Sequence, residues 1–168
     1  QVKSKIIGFE GNFVSFNMLN QLKERTNKNL IWKDFSEQIT KERVIKSDSE
    51  VKKIEEAISI SDRAFNTVSK KIKEGMTEEE IAWEMEKEMR ILGAESISFD
   101  TIVASGINGA KPHHSPTEKK ISNGEAITID MGAKFNGYCS DLTRTIFIGD
   151  PDEKFKKIYN TVLRSQLI

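Results

Sequence analysis

Apolar residues spaced by three and four positions predict a long amphipathic helix near the middle of the chain. Ser47 and Glu50 have the spacing of a capping box, in which each side chain bonds an orphan backbone N–H at a helix start. The helix is expected to end near Gly75, because glycine is favoured just beyond a helix C-terminus. Its expected core-facing stripe, in which Ser61 fills one slot, comprises Val51, Ile54, Ile58, Phe65, Val68 and Ile72.

A second helix follows, begun by another capping box at Thr77 and Glu80 and closed by Gly93. Its apolar stripe consists of Ile81, Met85, Met89 and Leu92. Neither stripe is long enough for a coiled coil, so both helices are expected to pack on a core.

The pattern beyond the second helix is that of strands. Residues 99–104 predict one strand, and residues 127–134 and 138–148 predict two more around Asn136-Gly137, a pair that favours a tight hairpin turn. The loop between the first of these strands and the hairpin, residues 105–123, carries both histidines. A final helix is expected to begin with Phe155, Ile158, Tyr159, Val162 and Leu163.

The first 45 residues contain a separate set of short elements. Residues 5–10 and 30–32 predict two short strands, and Ser15 is placed to cap a helix that runs through Lys23. Two strands and one helix cannot bury a core by themselves, so this segment is expected to end a preceding domain.

A two-residue turn at Asn136-Gly137 determines which residues of the hairpin lie opposite each other. Asp130 then faces Thr143, and Asp141 faces Gly132. The two aspartates become diagonal neighbours on one face, with Cβ atoms no more than about 7–8 Å apart. A slip of one residue would mix the polar and apolar faces, which supports this register. The opposite face holds Ile127, Ile129, Met131, Leu142, Ile146 and Ile148, with Arg144 as the exception.

The diagonal aspartates have two explanations. Two carboxylates this close repel each other unless a positive charge lies between them. A pair of divalent cations roughly 3.5–4 Å apart would supply that charge, and oxygen ligands suit hard or borderline cations such as manganese. The alternative is a solvated sheet face. Aspartate is disfavoured inside strands, however, so two at these positions need a specific reason.

Composition narrows the classes of function. The chain has 168 residues with 26 Lys+Arg against 26 Asp+Glu, and this balance argues against nonspecific binding to nucleic acid or anionic membranes. A hydrophobic fraction of 37% is enough for a sizeable core. No apolar run approaches the roughly 20 residues of a membrane span, and no signal peptide opens the chain. The single cysteine, Cys139, suits a reducing compartment, and a cytoplasmic protein is expected.

The hairpin closely resembles that of the pita-bread metallopeptidases, specifically their Xaa-Pro dipeptidase (prolidase) and aminopeptidase P branch. The resemblance rests on ITIDMG at residues 127–132 and NGYCSDLTRT at residues 136–145. Further segments are similar to the same branch in the same order, and together they cover nearly the whole chain. These are residues 7–23, 46–50, 74–78, 99–106 and 112–113.

The resemblance implies a fold and a set of metal ligands. The fold would be α+β, the first half of a pita-bread fold, with a curved antiparallel sheet backed by helices. The family holds two divalent metals with five side chains: two Asp from the first half, then one His and two Glu from the second. By motif match, Asp130 would bind one metal and Asp141 would bridge both. His113 would be the histidine near the scissile bond, on the amino side of a proline, that helps stabilise the tetrahedral intermediate.

The sequence departs from the family pattern in what it lacks. His113 and His114 are its only histidines, so the metal-binding His and the two glutamate motifs of the second half are absent. The chain also begins without Met and stops inside a predicted helix. We therefore expect a piece of a longer protein, with residues 1–45 ending an N-terminal domain and residues 46–168 forming half of the catalytic domain. The piece is expected to be inactive and to bind metal weakly or not at all. The longer protein would use two Mn²⁺ ions, with Co²⁺ or Zn²⁺ as alternatives.

Alternatives stay open for the longer protein. Methionine aminopeptidase shares the sheet, but the N-terminal extension and SDLTR at residues 140–144 fit the Xaa-Pro branch better. Creatinase-like hydrolases and peptidase-like binding modules share the fold, although both Asp130 and Asp141 are kept here. The expected partners are a proline-containing peptide substrate and a second copy in a homodimer, with neither nucleic acid nor membrane.

Three other polar residues receive structural predictions. His114 replaces the small residue that usually follows Pro-His in the family, and is expected to be a loop histidine in solvent. Cys139 is expected to be a small filler rather than a nucleophile, since no base for it is in view. Arg144, on the apolar face, is expected to take part in a structural ion pair.

Overall fold

The computed structural model describes residues 5–168, which divide into two compact units. One unit ends at Asp48, and the other runs from Ser49 to Ile168. Within the described residues, every helix is too short or too polar to serve as a membrane span.

The first unit is a βαβ arrangement followed by another helix. Strand β1 (Ile6–Phe9) pairs in parallel with β2 (Ile31–Asp34), and α1 (Phe16–Glu24) connects them. Both strands and the helix agree with the prediction. Helix α2 (Ser36–Val44) is missed by the sequence pattern, because its residues carry no apolar stripe at helical spacing.

The helix cap in this unit is the one expected. Ser15 precedes α1, and its hydroxyl accepts a hydrogen bond from the Met18 N–H at 3.2 Å. None of the described residues 5–48 is buried, which fits the expectation that so few elements cannot enclose a core.

A long helix, α3 (Asp48–Val68), begins at the boundary between the units, and all but its first residue belongs to the second unit. It passes into a 3₁₀ turn at Ser69–Lys71 and so ends before the predicted Gly75. The predicted stripe is wrong in part, because Val51 and Ile58 are 41% and 44% exposed. Alanine is small and favours helices, and it is buried here where a pattern of large apolar residues gives it no weight. The residues that face the core are Ala57, Ile60, Ser61, Ala64 and Val68.

Helix α4 (Glu78–Ile91) confirms its predicted boundaries and stripe. Its capping box is complete: the Thr77 hydroxyl accepts from the Glu80 N–H at 3.1 Å, and the Glu80 carboxylate accepts from the Thr77 N–H at 2.8 Å. Gly93 follows the helix with φ of +108°, a conformation that favours glycine. Ile81, Met85 and Met89 are fully buried.

The strands of the second unit form two small antiparallel sheets, so the α+β prediction is confirmed. The predicted strand at residues 99–104 is wrong at its start, since one strand ends at Ile97 and the next begins only at Ile102. One sheet has the order β3 (Ser96–Ile97), β6 (Ala133–Phe135), β7 (Tyr138–Cys139). The other has the order β4 (Ile102–Ser105), β5 (Ala126–Met131), β8 (Leu142–Phe147).

One long hairpin links the two sheets, since β5 continues into β6 and returns through β7 and β8. Asn136 and Gly137 at its tip have φ of 47° and 80°, and a type I′ turn requires positive φ at both positions. The predicted register is confirmed, because Asp130 pairs with Thr143.

The core of the second unit lies between α3, α4 and the apolar face of β5. Ile127, Ile129 and Met131 alternate along β5 and are fully buried against both helices. Burial of a side chain of this size stabilises the folded state by roughly 1.5–3 kcal/mol. The alternate residues of β5, Thr128 and Asp130, are half-buried on the other side of the strand.

The last helix, α5 (Glu153–Gln166), confirms the final predicted element. The Asp152 carboxylate caps it by accepting a hydrogen bond from the Phe155 N–H at 2.7 Å. The Phe155 ring packs on Phe147 of β8, with ring centroids 4.8 Å apart.

Candidate functional site

Asp130 lies on the polar face of β5, opposite Thr143 of β8. The Thr143 hydroxyl donates a hydrogen bond to Oδ1 of Asp130 at 2.8 Å, so the two side chains share one face as predicted. This bond orients the carboxylate and leaves it lone pairs for further partners, because a carboxylate can accept about four hydrogen bonds.

Asp141 lies in the short gap between β7 and β8, where it is exposed. The hairpin register is the same on both sides of this gap, since Ser140 donates to the Ala133 carbonyl at 2.9 Å and β8 continues the same pairing. Asp141 therefore lies opposite Gly132, and is a diagonal neighbour of Asp130 in the ladder.

Two buried hydroxyls anchor the backbone beside Asp141. The Oγ atoms of Ser61 and Ser140 are 2.6 Å apart, and both accept from the Ala133 N–H, at 3.1 and 2.9 Å. Gly132 is needed here because a Cβ would overlap the Ser140 carbonyl oxygen and crowd the side chain of Ser98. The backbone that carries Asp141 is thus attached to α3 through Ser61.

Gly132→Ala is expected to destabilise the chain by about 1–3 kcal/mol, the usual cost of overpacking a tight site. Its new Cβ would push on the carbonyl that precedes Asp141. Urea denaturation of the 168-residue chain measures the effect. Gly109→Ala is the matched control, since a Cβ there lies 3.7 Å from the Ala104 carbonyl, an ordinary contact. Equal midpoints for the two variants would contradict the packing argument.

The donor chemistry at this hairpin fits a hard divalent cation. Asp130 and Asp141 offer carboxylate oxygens, and Thr143 orients the first of them. Within residues 5–168, however, no group of three or more His, Cys, Asp and Glu side chains is placed to hold a metal ion. The described residues would therefore supply two ligands of a metal site, and the other ligands would have to come from elsewhere.

His113 lies on an exposed loop that follows the 3₁₀ helix Gly106–Ala110. No hydrogen bond or ion pair within the described residues joins it to Asp130 or Asp141. The structure thus confirms that Asp130 and Thr143 share a face of the hairpin, and the roles of Asp130, Asp141 and His113 stay predictions.

His114 is buried, and the prediction that it lies in solvent is wrong. Its side chain is 6% exposed, and its Nε2 lies 2.8 Å from Oε2 of Glu78, whose side chain is 0% exposed. The loop position of His114 carries no sequence signal for a carboxylate 36 residues away. Only the packing of the loop on the start of α4 brings the two together.

Glu78 is the acceptor at the centre of a buried network. Its Oε1 accepts from the N–H and hydroxyl of Ser105, at 2.8 and 2.7 Å, and from the Asn108 amide at 3.0 Å. Its Oε2 accepts from the N–H and hydroxyl of Thr117, at 3.2 and 2.7 Å, as well as from His114. The first-turn position adds a favourable interaction with the helix dipole. Six donor groups thus satisfy one buried carboxylate.

The pKa of Glu78 reflects this network. Burial alone raises the pKa, but the hydrogen bonds from His114, Asn108 and Ser105 outweigh burial and lower it from 4.5 to about 2. Glu78 is therefore ionised at neutral pH and can only accept hydrogen bonds. It follows that the His114 ring carries a proton on Nε2.

The far end of the same loop is tied to the chain just before and at the start of α4. Four backbone hydrogen bonds of 2.8–3.2 Å connect residues 117–121 with residues 75–79. Lys119 also donates to the Ser105 hydroxyl at 2.9 Å and pairs with Glu125 at 2.7 Å. The loop that carries His113 is therefore held at both ends.

Sequence analysis missed Glu78 as a structural centre. Residues 74–78 contribute only to the family resemblance, and a first-turn glutamate is ordinarily solvated and favourable there for its charge alone. No periodicity marks it, because the partners come from a loop without regular spacing.

The two remaining predictions have different outcomes. Cys139 is exposed at β7, and its role as a small filler rather than a nucleophile stays a prediction. Arg144 forms an ion pair with Asp62 of α3 at 3.8 Å, as predicted. Both side chains are about half exposed, so the pair contributes at most about 1 kcal/mol.

Comparison with known proteins identifies the family. The model of metallopeptidase family M24 matches residues 52–168. The chain belongs to this family. It is 40% identical over 163 residues to the Xaa-Pro dipeptidase of Pyrococcus furiosus, covering 97% of this chain and 46% of that protein. It is also 44% identical over 133 residues to the uncharacterized peptidase YqhT of Bacillus subtilis, a match that covers 79% of this chain and 38% of that protein.

Solved structures agree with the M24 assignment. The X-Pro aminopeptidase from Thermotoga maritima superimposes with a TM-score of 0.92 at 38% identity, covering 98% of this chain and 46% of that one. The prolidase from Pyrococcus furiosus gives a TM-score of 0.88 at 40% identity, and the match covers 96% of this chain and 47% of that one. The expected pita-bread fold is confirmed for the part that this chain spans. The chain spans about half the length of these relatives.

Proposed function

We propose that this chain forms part of a longer M24 metallopeptidase that hydrolyses Xaa-Pro peptide bonds. The observation that carries the proposal is the hairpin register, which makes Asp130 and Asp141 diagonal neighbours on one polar face. Relatives named Xaa-Pro dipeptidase and X-Pro aminopeptidase align with nearly the whole chain, which supports this substrate class. We also propose that residues 1–45 end an N-terminal domain, that the longer protein is a homodimer and that it is cytoplasmic.

In the proposed site, the residues of this chain divide into two groups. Asp130 and Asp141 would hold the metals, with Asp130 oriented by the Thr143 hydroxyl. When bound, two divalent cations, with manganese as first choice and cobalt or zinc as alternatives, would supply Lewis-acid polarisation of the scissile carbonyl and an activated water. His113, exposed on its loop, would donate a hydrogen bond to the carbonyl oxygen as negative charge develops there.

The retention of both aspartates favours a metal-dependent peptidase over the alternatives on the same fold. A creatinase-like hydrolase needs no metal, and a peptidase-like binding module tends to lose these carboxylates. Neither alternative explains why Thr143 orients Asp130 toward the face that Asp141 also occupies in the register.

The 168-residue chain is expected to show no peptidase activity, because two carboxylates provide too few ligands to displace water from a cation. The test compares this chain with the longer protein on Gly-Pro and a longer Xaa-Pro peptide, each with added Mn²⁺. Proline release by the longer protein but not by the 168-residue chain is expected. Turnover by the chain alone would contradict the ligand argument, and a longer protein that folds and binds metal but leaves Xaa-Pro bonds intact would overturn the substrate class.

A further inference from the structure

We propose that the buried pair of His114 and Glu78 is a positioning device, which fixes His113 in the orientation that the reaction requires. The inference rests on the proposed function, in which His113 contacts the substrate. His114 was predicted to lie in solvent but is buried. Both histidines belong to the loop of residues 105–119, the histidine loop.

The histidine loop is attached to one carboxylate at its start, middle and end. Glu78 accepts hydrogen bonds from Ser105 and Asn108 near the start of the loop and from His114 in its middle. It also accepts one from Thr117 near the end of the loop. Lys119 also donates a hydrogen bond to the Ser105 hydroxyl, which joins the two ends of the loop to each other. His114 is the one side chain in this set that is adjacent in sequence to His113.

The two histidines differ in burial, which supports a substrate contact for His113 and a positioning role for His114. His113 is exposed, whereas the His114 residue is only 8% exposed and its ring is bonded through Nε2. Consecutive Cα atoms are about 3.8 Å apart, so a fixed His114 determines where the backbone of His113 ends and limits its direction. Without His114, the loop between Asn108 and Thr117 would keep its ends but lose its central attachment.

The chemistry of the pair explains why a histidine is useful there. An ionised carboxylate needs donors, and a charge-assisted hydrogen bond from a ring nitrogen is stronger than one between neutral groups. The ring is rigid beyond two rotatable bonds, so forming the bond fixes the backbone at small entropic cost. A misplacement of about 1 Å at a catalytic group can reduce the rate on the order of 100-fold.

The test is kinetic and uses the longer protein. His114→Phe is expected to reduce kcat about 10–100-fold with little change in KM, because the proposed role of His113 lies in the transition state. His114→Gln, whose amide nitrogen can take the place of Nε2, is expected to recover most of the rate. Glu79→Gln, an exposed neighbour of Glu78 on α4, is the matched control and should behave as the wild type.

A double-mutant cycle separates positioning from general loss of structure. If His114 acts through His113, then His113→Ala and the double variant His113→Ala/His114→Phe should have equal kcat, because nothing remains to be positioned. Independent losses that multiply would overturn the inference. Hydrogen exchange of the metal-free longer protein adds a readout without activity: His114→Phe should increase exchange in residues 109–116, and unchanged exchange would also overturn it.

These outcomes distinguish a failure of the proposed peptidase function from a failure of the positioning role of His114. A wild-type longer protein that does not cleave Xaa-Pro peptides would overturn the proposed function, and with it the catalytic purpose of the pair. A wild type that does cleave them, together with a folded His114→Phe variant of equal kcat, would overturn the positioning role alone. If His114→Phe fails to fold, His114→Gln takes its place in the comparison of rates and in the cycle with His113→Ala.

Discussion

Asp141→Asn in the longer protein is expected to abolish binding of the second metal ion and to reduce kcat/KM by more than about 100-fold, a loss that even an outer-sphere partner can cause. Asn lacks the charge and the second oxygen of a carboxylate, so it cannot join two cations. Asp141 is exposed and opposite Gly132, so the change should leave the fold intact. Metal analysis of protein purified with manganese gives the occupancy directly.

Asp150→Asn is the matched control for this experiment. Asp150 is also exposed, and lies between β8 and α5 rather than on the polar face of the hairpin. It should retain two metals and wild-type kcat/KM. Full metal occupancy in Asp141→Asn would refute the bridging role, whereas loss of metal in both variants would indicate a general effect of charge.

Glu78→Gln is expected to destabilise the 168-residue chain by about 3 kcal/mol at pH 7, near the cost of removing one partner from a buried charged network. The Gln amide would bring a donor toward groups that are already donors, so Ser105 or Thr117 would lose a partner. Glu79→Gln removes the same charge from the same helix turn in solvent, and should cost at most about 1 kcal/mol. Urea denaturation midpoints compare the two.

The same network predicts how stability depends on pH. The pKa of Glu78 is about 2 in the folded chain and 4.5 as the ordinary value, so its stabilisation is fully present above pH 4.5. It is lost as the pH falls from 4.5 towards 2, and amounts to about 3 kcal/mol over this range. Glu78→Gln does not titrate, so its free energy of unfolding should fall less steeply there. Parallel curves for wild type and variant would show that Glu78 is not the titrating group.

Helix α4 and the hairpin could be predicted because their causes are local. The capping box of Thr77 and Glu80 and the positive φ at Asn136 and Gly137 depend on residues a few positions apart. The stripe of α3 was wrong because burial there depends on which alanines face the sheet, and only the packed structure decides that.

The hairpin aspartates and the surroundings of the histidines differ in how much of their structure the sequence alone predicts. The alternation along β5 and β8, together with the turn that fixes their register, is enough to predict that Asp130 and Thr143 share a face, because a strand has a period of two. The surroundings of the histidines were decided by tertiary structure alone. Glu78 and His114 are 36 residues apart, and no periodicity relates a loop to the first turn of a helix. Burial makes an unbonded carboxylate costly, and the fold satisfies Glu78 with six donor groups that the loop supplies.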